Sequence, residues 1–282
     1  TTVQGAGTIS RRALTLGTVA AQTKTYDGTT AADAGKFRAA LTNAIAGDSV
    51  AATATGAAYN SKNVAAASTI GYTGVALSGA DAGNYSLAAT TAQGAGTITA
   101  RELTLGTVAS QSKTYDGTRA ADASKFSAAL NNAVAGDNVT AAAAGATYND
   151  HNVAAARTID YTGVSLGGSD AGNYSLAATA AQGEGRITPK ELNLALTGGA
   201  RFDKTYDGNN RVEQSLARGT NYSLTGFVTG EGADIELNAV TGKYADKNAA
   251  RDKAVTFGRL TLKGTGAANY MLNSPTLTGA GT

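Results

Sequence analysis

Apolar and polar residues alternate along most of this chain, so most of it reads as short β-strands. In RALTLGTV, Leu14 and Leu16 share one face. In TIGYTGVALSG, Ile70 alternates with Tyr72 and Val75 with Leu77, and in NYSLAAT, Tyr85 alternates with Leu87. Clusters of Gly, Asn and Asp separate these runs and supply turns. One segment departs from the period of two. In ADAGKFRAALTNAIAG, Phe37, Leu41 and Ile45 stand at i, i+4 and i+8, with Asp33 placed as an N-cap and Gly47 as a C′ glycine. The spacing predicts a short amphipathic helix, repeated by Phe126, Leu130, Val134 and Gly136, and docked on a sheet. The corresponding stretch of the third copy, NRVEQSLARGTNYSLTGFV, predicts a helix that is shorter or absent. The fold class that follows is mainly β with a minor helical component: α+β modules, β-grasp-like or sandwich-like.

The pattern recurs. An offset of 89 residues relates Lys24 to Lys113, Leu14 to Leu103, Tyr59 to Tyr148, Tyr85 to Tyr174 and Ile98 to Ile187, without a gap. A third copy keeps that offset at Leu192 and Leu194, shifts to 91 at Lys204 and reaches 96 at Tyr244, Asn248, Asn269 and Tyr270. Most of its extra length therefore falls between Asp207 and Tyr244. Modules are expected at residues 11–100, 101–189 and 190–282, with residues 1–10 as the end of a preceding module, because TTVQGAGTIS matches TTAQGAGTIT at residues 90–99. The sequence starts Thr-Thr-Val and reads as a piece of a longer array. At the boundary, GAGTITARELTLGTV leads from the last strand of one module into the first of the next with no linker composition, which predicts semi-rigid joints and an elongated array.

Composition narrows the chemistry. The 282 residues hold no Cys and no Trp, one His, 36 Gly and 12 Tyr, and 23 Lys and Arg are interspersed with 21 Asp and Glu. Disulfides and thiol chemistry are excluded, and neither a nucleic-acid footprint nor a membrane span is expected. His151 is the only His, and its counterparts are Lys62 and Lys247, so no His–nucleophile pair or zinc site assembles. With no Gly-x-Ser-x-Gly elbow either, the chain reads as no enzyme, with no cofactor.

The most faithful repeats are KTYDGTTAAD, KTYDGTRAAD and KTYDGNNRVE. Asp-Gly after a strand is a turn signal, so Lys24, Tyr26, Asp27 and Gly28, with Lys113, Tyr115, Asp116 and Gly117 and with Lys204, Tyr206, Asp207 and Gly208, read as a strand end and turn, each tyrosine ring packed inward. A recurring surface site is the competing reading. The second phrase, GADAGNYSL, GSDAGNYSL and GTGAANYML, carries Asn84 and Tyr85, Asn173 and Tyr174, and Asn269 and Tyr270. Asp81 and Asp170 there suit a turn better than a calcium site, since the third copy has Gly266. The Lys, Asp and Asn of the two phrases are also the set that a Lys–Asn isopeptide bond requires, although an exposed Lys beside a turn is commoner.

KTYDGTT, YNSKNVA, YADKNAA, LSGADAGNYSL and GTITARELTL together resemble the YDG-type and related β-grasp repeats of very large bacterial surface exoproteins. These are filamentous-haemagglutinin-like adhesins exported by two-partner secretion. The resemblance implies an extracellular chain on the bacterial outer surface. It also implies a non-catalytic stalk that projects a distal binding region and supports attachment or biofilm, with neighbouring modules as its partners and the fragment itself monomeric. The alternative is that the modules bind host glycan or mucin, or a like adhesin laterally through strand edges. A low aromatic content of 6% favours the spacer.

Overall fold

A computed structural model describes all 282 residues. The first module holds nine strands: β1 (Arg12–Val19), β2 (Gln22–Thr25), β3 (Ala39–Thr42), β4 (Ala51–Thr53), β5 (Gly56–Tyr59), β6 (Thr69–Thr73), β7 (Ala76–Ser78), β8 (Tyr85–Leu87) and β9 (Thr91–Thr99). They form a three-stranded sheet β3-β1-β8, a four-stranded sheet β2-β9-β6-β5 and a ribbon β4-β7. β1 runs parallel to β8, with Arg12 opposite Tyr85, and antiparallel to β3. β2 runs parallel to β9, with Gln22 opposite Gly96, whereas β6 is antiparallel to both β9 and β5.

The alternation seen in the sequence sorts the faces. In β6, Ile70 and Tyr72 are buried between more accessible neighbours, and in β9 Gly94, Gly96 and Ile98 lie on the buried face. Gly96 lies against the Ile70 side chain and the Tyr59 ring, where a Cβ would come within 2.5 Å of Ile70 Cγ1, so the glycine makes room for two large core residues. Buried polar groups are paired: Gln22 Nε2 donates to the Tyr72 hydroxyl at 2.7 Å and to the Asp33 carbonyl at 3.0 Å.

The predicted helix does not form. Residues Ala34–Lys36 make one turn of 3-10 helix, capped by the Asp33 carboxylate accepting from the Gly35 N–H, and the chain then runs as β3, paired to β1 from Thr15 opposite Thr42. The spacing i, i+4, i+8 is even, so it places three residues on one face of a strand as readily as on one stripe of a helix. Phe37 is buried against Tyr72 at 4.7 Å, Leu41 is half-buried, and Ile45 is exposed. Gly47 does take a left-handed φ of 100°, in a turn with no helix before it. The second module repeats this with Ala123–Lys125 and the strand Ala128–Asn131. In the third, Tyr222–Thr225 pairs with Lys190–Leu196. The architecture is mainly β with only short 3-10 turns, in three tandem strand-rich modules.

Contacts divide the chain into two compact units. One comprises Thr1–Gly106, Ala128–Ala142 and Ser165–Thr179, the other Thr107–Ser127, Ala143–Val164 and Ala180–Thr282. The division passes through the second module, so each junction between modules lies inside one unit. At each junction the strand barely pauses: Ala100 alone separates β9 from Arg101–Val108, and Pro189 alone separates Ala180–Thr188 from Lys190–Leu196.

Candidate functional site

The KTYDG turn is built the same way three times. Asp27 Oδ1 accepts from the Thr29 N–H at 2.9 Å and from Lys24 Nζ at 2.7 Å, and Gly28 takes a φ of 80° that an L side chain resists. Burial opposes ionisation of Asp27, but the hydrogen bonds from Lys24 and Thr29 hold its carboxyl below the usual range. Lys24 Nζ also donates to the carbonyls of Thr29 and Ala31, and stands 5.4 Å from the centre of the Tyr59 ring. Its side chain is only 18% exposed, so the lysine is a staple that closes the turn and no free surface charge. Lys113 does the same for Asp116 and Lys204 for Asp207, each at 2.7 Å. The lysines therefore meet their own turns and not the asparagines of the second phrase; the one asparagine side chain they reach is Asn209 of the third turn, whose Oδ1 accepts from Lys204 Nζ at 3.0 Å.

The tyrosine of the pentapeptide leaves its own module. The Tyr26 ring is fully buried, packs edge-on against Tyr174 of the second module at 5.3 Å, and donates its hydroxyl to Asp137 Oδ2 at 2.8 Å. Tyr174 donates to the same oxygen at 2.6 Å, and its own hydroxyl accepts from the Val134 N–H at 3.0 Å. One carboxylate thus gathers a tyrosine from each side of the junction. The bonds from Tyr174 and, against the cost of burial, from Tyr26 hold the Asp137 carboxyl below its ordinary range. Burial first, and then the bond to Asp137, push the Tyr26 hydroxyl well up. Val134 lies over Gly28, where a Cβ would approach its Cγ1 to 2.9 Å.

The second junction repeats the design with a different acid. Tyr115 stacks edge-on with Tyr270 at 5.4 Å and donates to Glu231 Oε1 at 2.8 Å, while Tyr270 donates to Glu231 Oε2 at 2.6 Å. Burial and the bond to Glu231 raise the Tyr270 hydroxyl to about 12. Val228 covers Gly117 as Val134 covers Gly28.

The asparagine of the second phrase completes each junction. Asn173 Oδ1 accepts from the Val64 N–H at 2.9 Å and its Nδ2 donates to Asn63 Oδ1 at 3.3 Å; Asn269 meets Val153 and Asn152 in the same way, both at 2.9 Å. Asn173 and Asn269 are buried, whereas Asn84 is exposed. The expected inward packing of the tyrosines holds in Tyr26 and Tyr115 but fails in Tyr206, which is 60% exposed.

Asp81 and Asp170 serve a turn, each accepting from a backbone N–H across the ribbon, of Ser49 at 2.8 Å and of Asn138 at 2.9 Å. Where the third copy has Gly266, the carboxylate comes from the opposite loop: Asp234 accepts from the Thr265 N–H at 3.0 Å. Sequence reasoning missed the acids Asp137 and Glu231 and the covering Val134 and Val228. Asp137 does recur as Asp48, but Glu231 lies inside the inserted stretch, where no fixed offset aligns the third copy.

Fold and junctions define a tandem array of all-β modules, each locked to the next by a tyrosine, a carboxylate and an asparagine. A known family accounts for all three. The YDG domain matches residues 10–92, 99–181 and 188–278, and the chain belongs to that family as three tandem domains. No curated protein matches the sequence.

Proposed function

We propose that this chain is a non-catalytic spacer of a bacterial surface adhesin of the filamentous-haemagglutinin type. It would hold a distal binding region away from the outer surface and support attachment or biofilm, with its own neighbouring modules as its partners. The observation that carries this reading is where the repeated residues are spent. Tyr26, Gly28, Asn173 and Tyr174, and their counterparts Tyr115, Gly117, Asn269 and Tyr270, join one module to the next. A repeat whose signature is its joint suits a spacer, in which load and stability pass between neighbours.

The exposed surface supports the same choice over a lectin. Glycan sites present aromatic faces, and 11 of the 12 tyrosines are buried, with Tyr206 as the exception. No group of three or more His, Cys, Asp or Glu side chains converges that could hold a metal ion for sugar binding. No helix is long and apolar enough to cross a membrane.

The test is binding of the purified chain to a broad glycan and mucin array, once with calcium and once with chelator. Silence in both conditions is the expected result. A reproducible, competable signal makes the modules themselves the adhesive surface and overturns the spacer reading.

A further inference from the structure

Because the first two modules repeat without a gap, their differences locate what the second module adds. On the outer side of its four-stranded sheet stand Arg157, Asp160, Glu184 and Arg186, all exposed. The offset of 89 places Ser68, Gly71, Ala95 and Thr97 at these positions of the first module, so four charges replace four neutral residues. In the third module the matching strand register puts Thr256 and Ala280 where Asp160 and Glu184 stand. None of the four charged side chains forms an ion pair within the chain. The second module is joined at both ends, and none of the four bonds across a joint. The register also orders the charges. Glu184 and Arg186 share a face of the strand Ala180–Thr188. Thr158 lies opposite Glu184 and Asp160 opposite Gln182, so Asp160 stands on the far side of Glu184 from Arg186. Arg157 precedes Thr158, and its Nη1 donates to the Ala156 carbonyl at 2.8 Å and the Val153 carbonyl at 3.1 Å, which holds the guanidinium toward the Arg186 end. Both arginines therefore gather at one end of the face and both carboxylates at the other.

We propose that this face pairs with the same face of a second copy, the two sets of strands running antiparallel. Arg186 of each copy then meets Glu184 of the other, and Arg157 meets Asp160. A face positive at one end and negative at the other is self-complementary about a twofold axis lying in the contact, and such a contact closes at two copies. Both arginines and Glu184 border a recess of about 900 Å³, so a partner's side chains reach them without displacing the chain. The pairs form at an exposed surface, which makes the association weak and sensitive to salt. Dilute chain is monomeric, and pairing appears where copies are concentrated. The inference rests on one sheet face and stands whether or not the array is a spacer.

The test is sedimentation velocity of the intact chain from micromolar to millimolar concentration, at low ionic strength and again in about 0.5 M salt. At low salt the weight-average mass should climb toward a dimer and stop there, and salt should return it to the monomer. Glu184→Arg and Arg186→Glu each set like charges against each other twice across the axis, so each variant alone should lose roughly ten-fold or more in association constant. An equimolar mixture of the two brings arginines against glutamates at both places and should pair at least as well as the unaltered chain. Both positions are exposed, and unchanged circular dichroism establishes that the variants are folded; the salt series needs no variant at all. A mass that stays monomeric to millimolar concentration at low salt overturns the inference. So does association that ignores salt or survives either substitution, a mixture that pairs no better than its parts, or growth beyond a dimer.

Discussion

Tyr26 and Tyr206 occupy the same position of the same pentapeptide, in turns closed by the same lysine–aspartate staple, yet one ring is sealed and the other is 60% exposed. The turn is local and forms in every copy. Burial of the ring is supplied by the next module, which brings the carboxylate, the second tyrosine and the covering valine. The difference separates what the pentapeptide does for its own module, which is to end a strand and set a turn, from what it does for the array. The largest expected effect tests that separation directly. Tyr26→Ala removes a buried aromatic ring and should cost roughly 3–5 kcal/mol in urea unfolding, whereas Tyr206→Ala should stay within about 0.5 kcal/mol. Equal effects would mean that the ring matters within its own module and that the junction contributes nothing.

The carboxylate sharpens the comparison. Asp137→Ala leaves the buried hydroxyls of Tyr26 and Tyr174 without their acceptor and should cost roughly 1–3 kcal/mol. Asp48→Ala, which strands only Tyr85, should cost less in the same unfolding titration. If Asp48→Ala proves the more damaging, the acid serves the module's own turn and not its joint.

Glycine gives a smaller and cleaner contrast. Gly28→Ala meets both a left-handed φ and the Val134 side chain, while Gly208→Ala meets the same φ with open space around it. The shared backbone strain should be about 1–2 kcal/mol, and any excess at Gly28 measures the fit across the junction. Melting curves of the two variants that superimpose would show that the valine yields without cost.

How much of this was legible before the fold was known follows from the range of each signal. The strands, the turns and the three modules are written in residues close together in sequence, so alternation and a fixed offset expose them. The helix was misread because Phe37, Leu41 and Ile45 are spaced by four, an interval that a strand and a helix share, and nothing local arbitrates between them. The destination of Tyr26 lies 111 residues away at Asp137, and an aspartate after a glycine reads as one more turn. In the third copy the acid is Glu231, in the stretch where the offset breaks down. The relocation of the ribbon carboxylate from Asp170 to Asp234 is hidden for the same reason: a hydrogen bond that reverses its donor and acceptor sides leaves no aligned residue to notice. The exposed-lysine reading failed because a long side chain can fold back over its own turn and a neighbouring ring, which no sequence pattern records.

The smallest effect is the dependence of the junctions on pH, and its sign follows from the two kinds of group. The Asp137 carboxyl is depressed in the folded chain, so its contribution is complete above the ordinary aspartate value of about 4 and is lost as pH falls below it. The Tyr26 hydroxyl is raised, and the Tyr270 hydroxyl is raised to about 12. Their contribution is complete below the ordinary tyrosine value of about 10 and is lost as pH climbs past it, through 10 to 12 for Tyr270. Stability should therefore be flat between about pH 5 and 9 and decline on both sides. Asp137→Asn should make the acid limb shallower, since it removes one of the depressed carboxylates that titrate there. Tyr26→Phe should soften the alkaline limb while leaving Tyr270 to titrate at the other junction. A decline of the same depth in the Asp137→Asn variant would place the acid sensitivity in the turn carboxylates such as Asp27, which are depressed as well, and would take the junction out of the pH response.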